Sequence, residues 1–106
     1  MVKRGEVWLV NLDPTVGSEI QKTRPCVVIS PPEMNEHLRT AMIAPMTTGS
    51  HPASFRIAVR HGGKQGLILL DQIRTVDKTR LVKRAGTIAP AVLSATLAAL
   101  AEIFAE

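Results

Sequence analysis

The sequence predicts a mainly β domain, a small and strongly bent barrel with a carboxyl-terminal helix lying on it. Three observations carry that expectation. Residues 1 to 88 are a succession of short apolar runs broken by Gly, Pro and Asp, the pattern of strands joined by turns. From Pro90 onwards the apolar spacing changes to fours and threes, the spacing of one helical face. The chain has 106 residues, 45% of them apolar, enough for one real core and too few for two. Residues 1 to 106 are therefore read as a single domain.

Each element follows from local chemistry. Glu6 to Leu12 opens with β-branched and aromatic residues and stops at Asp13-Pro14, a turn signal. Residues 15 to 23 hold Gly17 and mostly polar side chains, and are expected to form an exposed loop. Cys26 to Ser30 is a continuous apolar run, the mark of a central strand, ended by Pro31-Pro32. Glu33 to Leu38 is expected as loop or a single helical turn. Thr40 to Ala44 forms a strand that Pro45 should close. Ser54 to Arg60 alternates, with Phe55, Ile57 and Val59 on one face, so it reads as a half-buried antiparallel strand. His61-Gly62-Gly63 turns the chain, and Gly66 to Leu70 returns as a buried strand. Ile73 to Val76 and Leu81 to Ile88 follow, with a turn at Asp77-Lys78-Thr79. Pro90 suits the first turn of a helix, where its missing N–H would be unpaired anyway. Leu93, Leu97, Leu100 and Phe104 should form that helix's buried face.

Composition narrows the function classes. No apolar run approaches the ~18 residues of a membrane span, and MVKRGEVW lacks the features of a secretion signal. Cys26 is the only cysteine, which excludes an internal disulfide and a multi-cysteine zinc site and favours a reducing, cytoplasmic setting. Thirteen Lys and Arg exceed nine Asp and Glu, giving +4, a balance that suits an anionic partner. With one Trp, two Phe and no Tyr, an extended base-stacking platform is not expected.

Motifs in order place the chain further. Arg4-Gly5-Glu6-Val7-Trp8 is followed by Leu12-Asp13-Pro14-Thr15, Gly17-Ser18-Glu19 and Thr23-Arg24-Pro25. Pro45-Met46-Thr47-Thr48 comes next, and then Leu70-Asp71-Gln72-Ile73-Arg74-Thr75-Val76-Asp77. This succession, spanning essentially the whole chain, resembles the MazF/PemK toxin family. The resemblance implies an SH3-like barrel of the PemK/CcdB kind, assembled as a homodimer. It implies an endoribonuclease that needs no metal or other cofactor and cuts single-stranded RNA, chiefly messenger RNA, leaving a 2′,3′-cyclic phosphate and a 5′-hydroxyl. A cognate MazE-like antitoxin would neutralise it by laying an acidic carboxyl-terminal segment over the dimer. The competing expectation is a non-enzymatic toxin of the same fold, a CcdB-like gyrase poison, which has no need of a phosphate-binding Arg at this strand mouth.

RNA carries its own nucleophile, the 2′-hydroxyl. The protein must align that oxygen, assist proton movement and stabilise charge on the phosphorane-like transition state. Arg24 suits the last task, because its planar fork can donate two parallel hydrogen bonds to phosphate oxygens. Pro25 biases it towards extended backbone, and the buried strand beyond gives it a rigid base. Thr47 offers a hydroxyl to a phosphate oxygen or the 2′-OH. The resemblance makes Arg24 and Thr47 the principal catalytic pair.

Glu19, Thr48 and Asp71 are further candidates for catalysis or RNA contact, and Gln72 is a plausible base-edge reader. One branch of the family carries an Arg two residues before the Asp and a His in the first loop. Here those positions are Leu69 and Ser18, so that alternative constellation is incomplete, and Ser18 is kept only as an RNA contact. Arg56, Arg74, Lys78 and Arg80 are expected to hold RNA backbone. His37, His51 and His61 fall in expected turns outside the resemblance and are read as solvated loop histidines. Their spacing makes no metal site.

Overall fold

The computed structural model describes residues 1–106. Seven antiparallel strands and two helices follow one another as β1 (Glu6–Asn11), β2 (Thr23–Val28), α1 (Pro32–His37), β3 (Thr40–Thr47), β4 (Arg56–His61), β5 (Lys64–Leu69), β6 (Arg74–Asp77), β7 (Leu81–Thr87) and α2 (Pro90–Ile103). Single 3-10 turns at Leu70–Gln72 and Lys78–Arg80 lead out of β5 and β6. The strands lie in the order β4-β5-β3-β2-β1-β7, and β6 pairs with β3 off that path. No helix is long and apolar enough to cross a membrane.

β3 is the strand that joins the two parts of the sheet. Along Thr40–Pro45 it pairs with β6 and β2, and at Met46 and Thr47 it pairs with β5. Pro45 does not close this strand, as its lack of an N–H suggests from sequence. It sits inside β3 opposite Cys26, next to the point where the chain changes partner and the ladder can spare a donor.

The sheet is covered on both faces, which is why β2 reads as an unbroken apolar run. Val7, Val27, Ala44, Met46, Val59 and Ile68 fill one core, against which Val92, Leu93, Ala99 and Leu100 of α2 pack. Val10, Leu12, Cys26, Val28, Ile43 and Val76 fill the other, beside Trp8, Ile20 and Leu81. Adjacent residues of β2 therefore point into different cores, as the period of two requires.

Two details of α2 depart from the expected face. The inward residues centre on Val92, Leu93, Thr96 and Leu100, and Thr96 is fully buried, its hydroxyl donating to the Val92 carbonyl at 2.8 Å. Phe104 lies beyond the last helical residue and is 71% exposed. The helix ends before its fourth leucine-spaced position can reach the sheet. Phe55 also stands outside its strand, which begins at Arg56, and is exposed.

Candidate active site

Arg24 is the second residue of β2, paired with Val10 on β1. Cys26, Val27 and Val28 behind it are all fully buried, so the strand cannot slide without emptying two cores. Its Nε donates to the Gln21 carbonyl at 3.0 Å. The two terminal guanidinium nitrogens make no hydrogen bond within the protein, and the fork is left open to a ligand.

Continuing the pairing of Cys26 with Pro45 outwards by two residues sets Arg24 opposite Thr47, the last residue of β3. Opposed residues of an antiparallel pair share a face of the sheet. The Thr47 hydroxyl oxygen accepts from the Gly49 N–H at 3.2 Å, which leaves its own hydrogen free to donate. On its other side Thr47 pairs with Leu67 of β5. That approach depends on Gly66, where a Cβ would stand 2.9 Å from the Thr47 carbonyl oxygen.

Arg24, Thr47 and Thr48 line one open cleft of about 230 Å³ together with Met46, Val59, His61, Lys64 and Gly66. Two cationic side chains, Arg24 and Lys64, line it and no carboxylate does. Cys26 lies next to Pro25 in sequence but is no nucleophile here. Burial pushes its thiol up to about 12, with Arg74 and Arg24 pulling weakly the other way, so the thiolate is absent near neutrality.

His61 corrects the expectation of a solvated loop histidine. It is the last residue of β4, half-buried, and it lines the same cleft. Sequence alone gave no sign of this, because the cleft forms only when the β4–β5 hairpin folds against the ends of β2 and β3. His37, at the end of α1, and His51 are exposed, as expected.

The remaining candidates gather elsewhere. Glu19, Asp71, Gln72 and Arg74 line a second cavity of about 420 Å³. Within it Gln72 Oε1 accepts from the Ile20 N–H at 3.3 Å, and Glu19 Oε1 caps its own loop by accepting from the Val16 N–H at 2.9 Å. Asp71 receives Nε and Nη2 of Arg56 at 3.2 and 3.0 Å. Those hydrogen bonds hold the Asp71 carboxyl below the usual carboxylate range, against a smaller opposing effect of burial. Ser18 is exposed on the β1–β2 loop.

Three cations expected to hold RNA backbone are tied to the protein's own carbonyls. Arg74 donates to Leu12 at 3.1 Å, Arg80 to Asn11 and Asp13, and Lys78 to Asn35. No three His, Cys, Asp or Glu side chains come together as a set of metal ligands.

Comparison with known proteins agrees with this architecture. Residues 3–104 match the family described as PemK-like, MazF-like toxin of type II toxin-antitoxin system. The chain is 35% identical over 108 residues to endoribonuclease PemK of Escherichia coli, covering 96% of this chain and 81% of that protein. It is 37% identical over 90 residues to endoribonuclease MazF of Staphylococcus epidermidis, covering 79% and 75%. MazF of Deinococcus radiodurans superposes with a TM-score of 0.85 at 23% identity, over 96% of this chain and 94% of that one. A mycobacterial endoribonuclease solved in complex with its cognate antitoxin gives 0.81 at 22%, over 96% and 93%. The barrel, its terminal helix and the match along nearly the whole sequence lead to one conclusion: this chain belongs to the PemK-like, MazF-like family of type II toxins.

Proposed function

We propose that this toxin is an endoribonuclease that cuts single-stranded RNA, chiefly messenger RNA, at short sequences without a metal ion. The 2′-oxygen loses its proton and bonds to phosphorus, and the P–O5′ bond breaks with its electron pair passing to O5′, which takes up a proton. The products are a 2′,3′-cyclic phosphate and a 5′-hydroxyl end.

The observation that carries this reading is the open guanidinium fork of Arg24, which lines with Thr47 a cleft that has cations and no carboxylate. A phosphodiester gains negative charge as it reaches the pentacoordinate transition state. Fixed donors aimed at that charge strengthen their hold as it develops, which is what lowers a barrier. Arg24 supplies two such donors, and Thr47 a third. Arg24 acts as an electrostatic stabiliser in this scheme and not as a base. The names of the curated relatives, both endoribonucleases, support the same chemistry.

The protein works in the cytoplasm as a homodimer under the control of a cognate antitoxin. Solved complexes of related toxins, including MazE–MazF of Deinococcus radiodurans, support the partner. An acidic antitoxin segment would meet the same cationic cleft that RNA uses. Exposed Val82 and Phe104 offer apolar surface for association with a second copy.

The test is Arg24→Ala. Removing one such set of donors is expected to slow cleavage by about 10²–10³-fold with the denaturation midpoint unchanged, since the side chain contributes to neither core. A folded variant that cuts at the wild-type rate would remove Arg24 from the mechanism.

A further inference from the structure

The scheme above leaves one step without an agent, the proton that O5′ must gain. Among the side chains lining the cleft, Arg24 and Lys64 are cations and Thr47 and Thr48 are hydroxyls. His61 alone belongs to the class that exchanges protons near neutrality. We propose that His61 is a catalytic residue whose imidazolium donates a proton to the departing 5′-oxygen. This inference rests on the ribonuclease reading of the cleft.

Its placement is built into the fold. His61 ends β4 and pairs with Lys64 across the Gly62-Gly63 turn, where both glycines have the positive φ that a two-residue hairpin needs. Across the molecule the ring meets the bare backbone of Gly86 on β7, where a Cβ would lie 3.5 Å from the ring's Cε1. β4 and β7 are the two ends of the strand order, so the imidazole sits where the barrel comes round on itself. Neither ring nitrogen makes a hydrogen bond within the protein, so neither is committed to another group.

Arg24 and Thr47 come from β2 and β3, and His61 from β4 beyond β5. A phosphate held by the first pair would thus have His61 approaching from another strand's side. In-line displacement needs proton traffic at two opposed oxygens, which such a separation suits. Donation is favoured over abstraction because no carboxylate orients the ring as a base. The charged groups facing it are Arg24 from β2 and Lys64 from β5. β3 presents Met46 and the Thr47 hydroxyl, neither of them charged, and β7 presents Gly86, which has no side chain.

The experiment uses the full-length protein and a short oligoribonucleotide spanning a cut site mapped on a long RNA. It is made with either the natural 5′-oxygen or a bridging 5′-sulfur at the scissile bond. Sulfur departs without a proton. His61→Gln is expected to slow the oxygen substrate by about 10²–10⁴-fold and the sulfur substrate by no more than a few fold, with RNA affinity kept. His51→Gln, altering an exposed loop, should change neither. Equal losses on both substrates, or full activity of His61→Arg, would overturn the proposal in favour of a positional or purely electrostatic role.

Should His61→Gln fail to fold, the wild-type protein still decides. Its rate on oxygen should fall relative to sulfur as rising pH strips the imidazolium, and a constant ratio would refute proton donation. Wild-type protein that cuts neither substrate would overturn the ribonuclease reading itself.

Discussion

At the residue scale, two neighbours that look alike in sequence and both line the cleft are held differently. Thr47 is half-buried, the last residue held in β3, and lines the cleft with Arg24. Thr48 is exposed and one position past the strand, where no ladder pairing fixes its backbone. Thr47→Ala should therefore slow RNA cleavage by at least about 10-fold more than Thr48→Ala, given that one hydrogen bond to a charged group is worth about 1.5–3 kcal/mol. Single-turnover rates on one RNA would show this, and equal effects would contradict it.

Arg24 was legible in the sequence because an Arg-Pro step before a buried run can be read locally, and the family resemblance named the same residue. His61 was not legible. Its surroundings come from Arg24, Thr47 and Gly86, which lie far along the chain and meet it only after folding. The same limit applies to Arg74 and Arg80. As cations among polar residues they read as phosphate contacts, yet their donors end on the Leu12, Asn11 and Asp13 carbonyls, more than 60 positions away.

At the element scale, two contacts set the site's geometry. β5 passes so close to β3 that a methyl group at Gly66 would press on the Thr47 carbonyl at 2.9 Å. Gly66→Ala must push the strands apart and should cost about 1–3 kcal/mol by overpacking, with cleavage falling further than stability alone explains. Urea denaturation and activity at a temperature where the variant is fully folded would separate the two effects. A variant with normal stability and activity would show that the spacing is soft.

Glu6 joins β1 to β7 through Arg84 Nε at 2.7 Å and also accepts from the Lys3 N–H at 2.8 Å and the Trp8 indole at 3.2 Å. Burial pushes its carboxyl up, but these three donors outweigh burial and hold it below the usual value of 4.5. A depressed carboxyl stabilises the fold fully above its unfolded value and loses that contribution as pH falls through its folded value. Glu6→Gln should thus cost on the order of 1–3 kcal/mol at pH 7. The gap from wild type should narrow below about pH 4.5. Denaturation curves at pH 7 and pH 3 read the difference, and a gap independent of pH would contradict the assignment.

Strand positions were largely visible at this scale, since alternation and turn residues are local. Two features were hidden. Pro45 reads as a terminator, but tertiary pairing carries β3 past it to Thr47. Phe104 continues a helical spacing, but α2 stops before the sheet can cover it.

At the scale of the whole molecule, one property connects fold to function. A sheet buried on both faces leaves its strand ends, and not its faces, as the places where charged groups can be held rigidly. Arg24, Thr47 and His61 all stand at such ends. The mainly β class and the terminal helix were readable from period and punctuation. Which strand ends converge was not, because that depends on the bending of the sheet and the return of β4 towards β7.

The central claim is that those ends form a site for metal-free cleavage of RNA by its own 2′-hydroxyl. The most direct measurement incubates purified protein with a long, unstructured RNA in excess chelator and maps the ends of the products. Fragments with 5′-hydroxyl and 2′,3′-cyclic phosphate ends at a recurring short sequence are the predicted result. An RNA left intact unless a divalent cation is added, or fragments carrying 5′-phosphates, would contradict it.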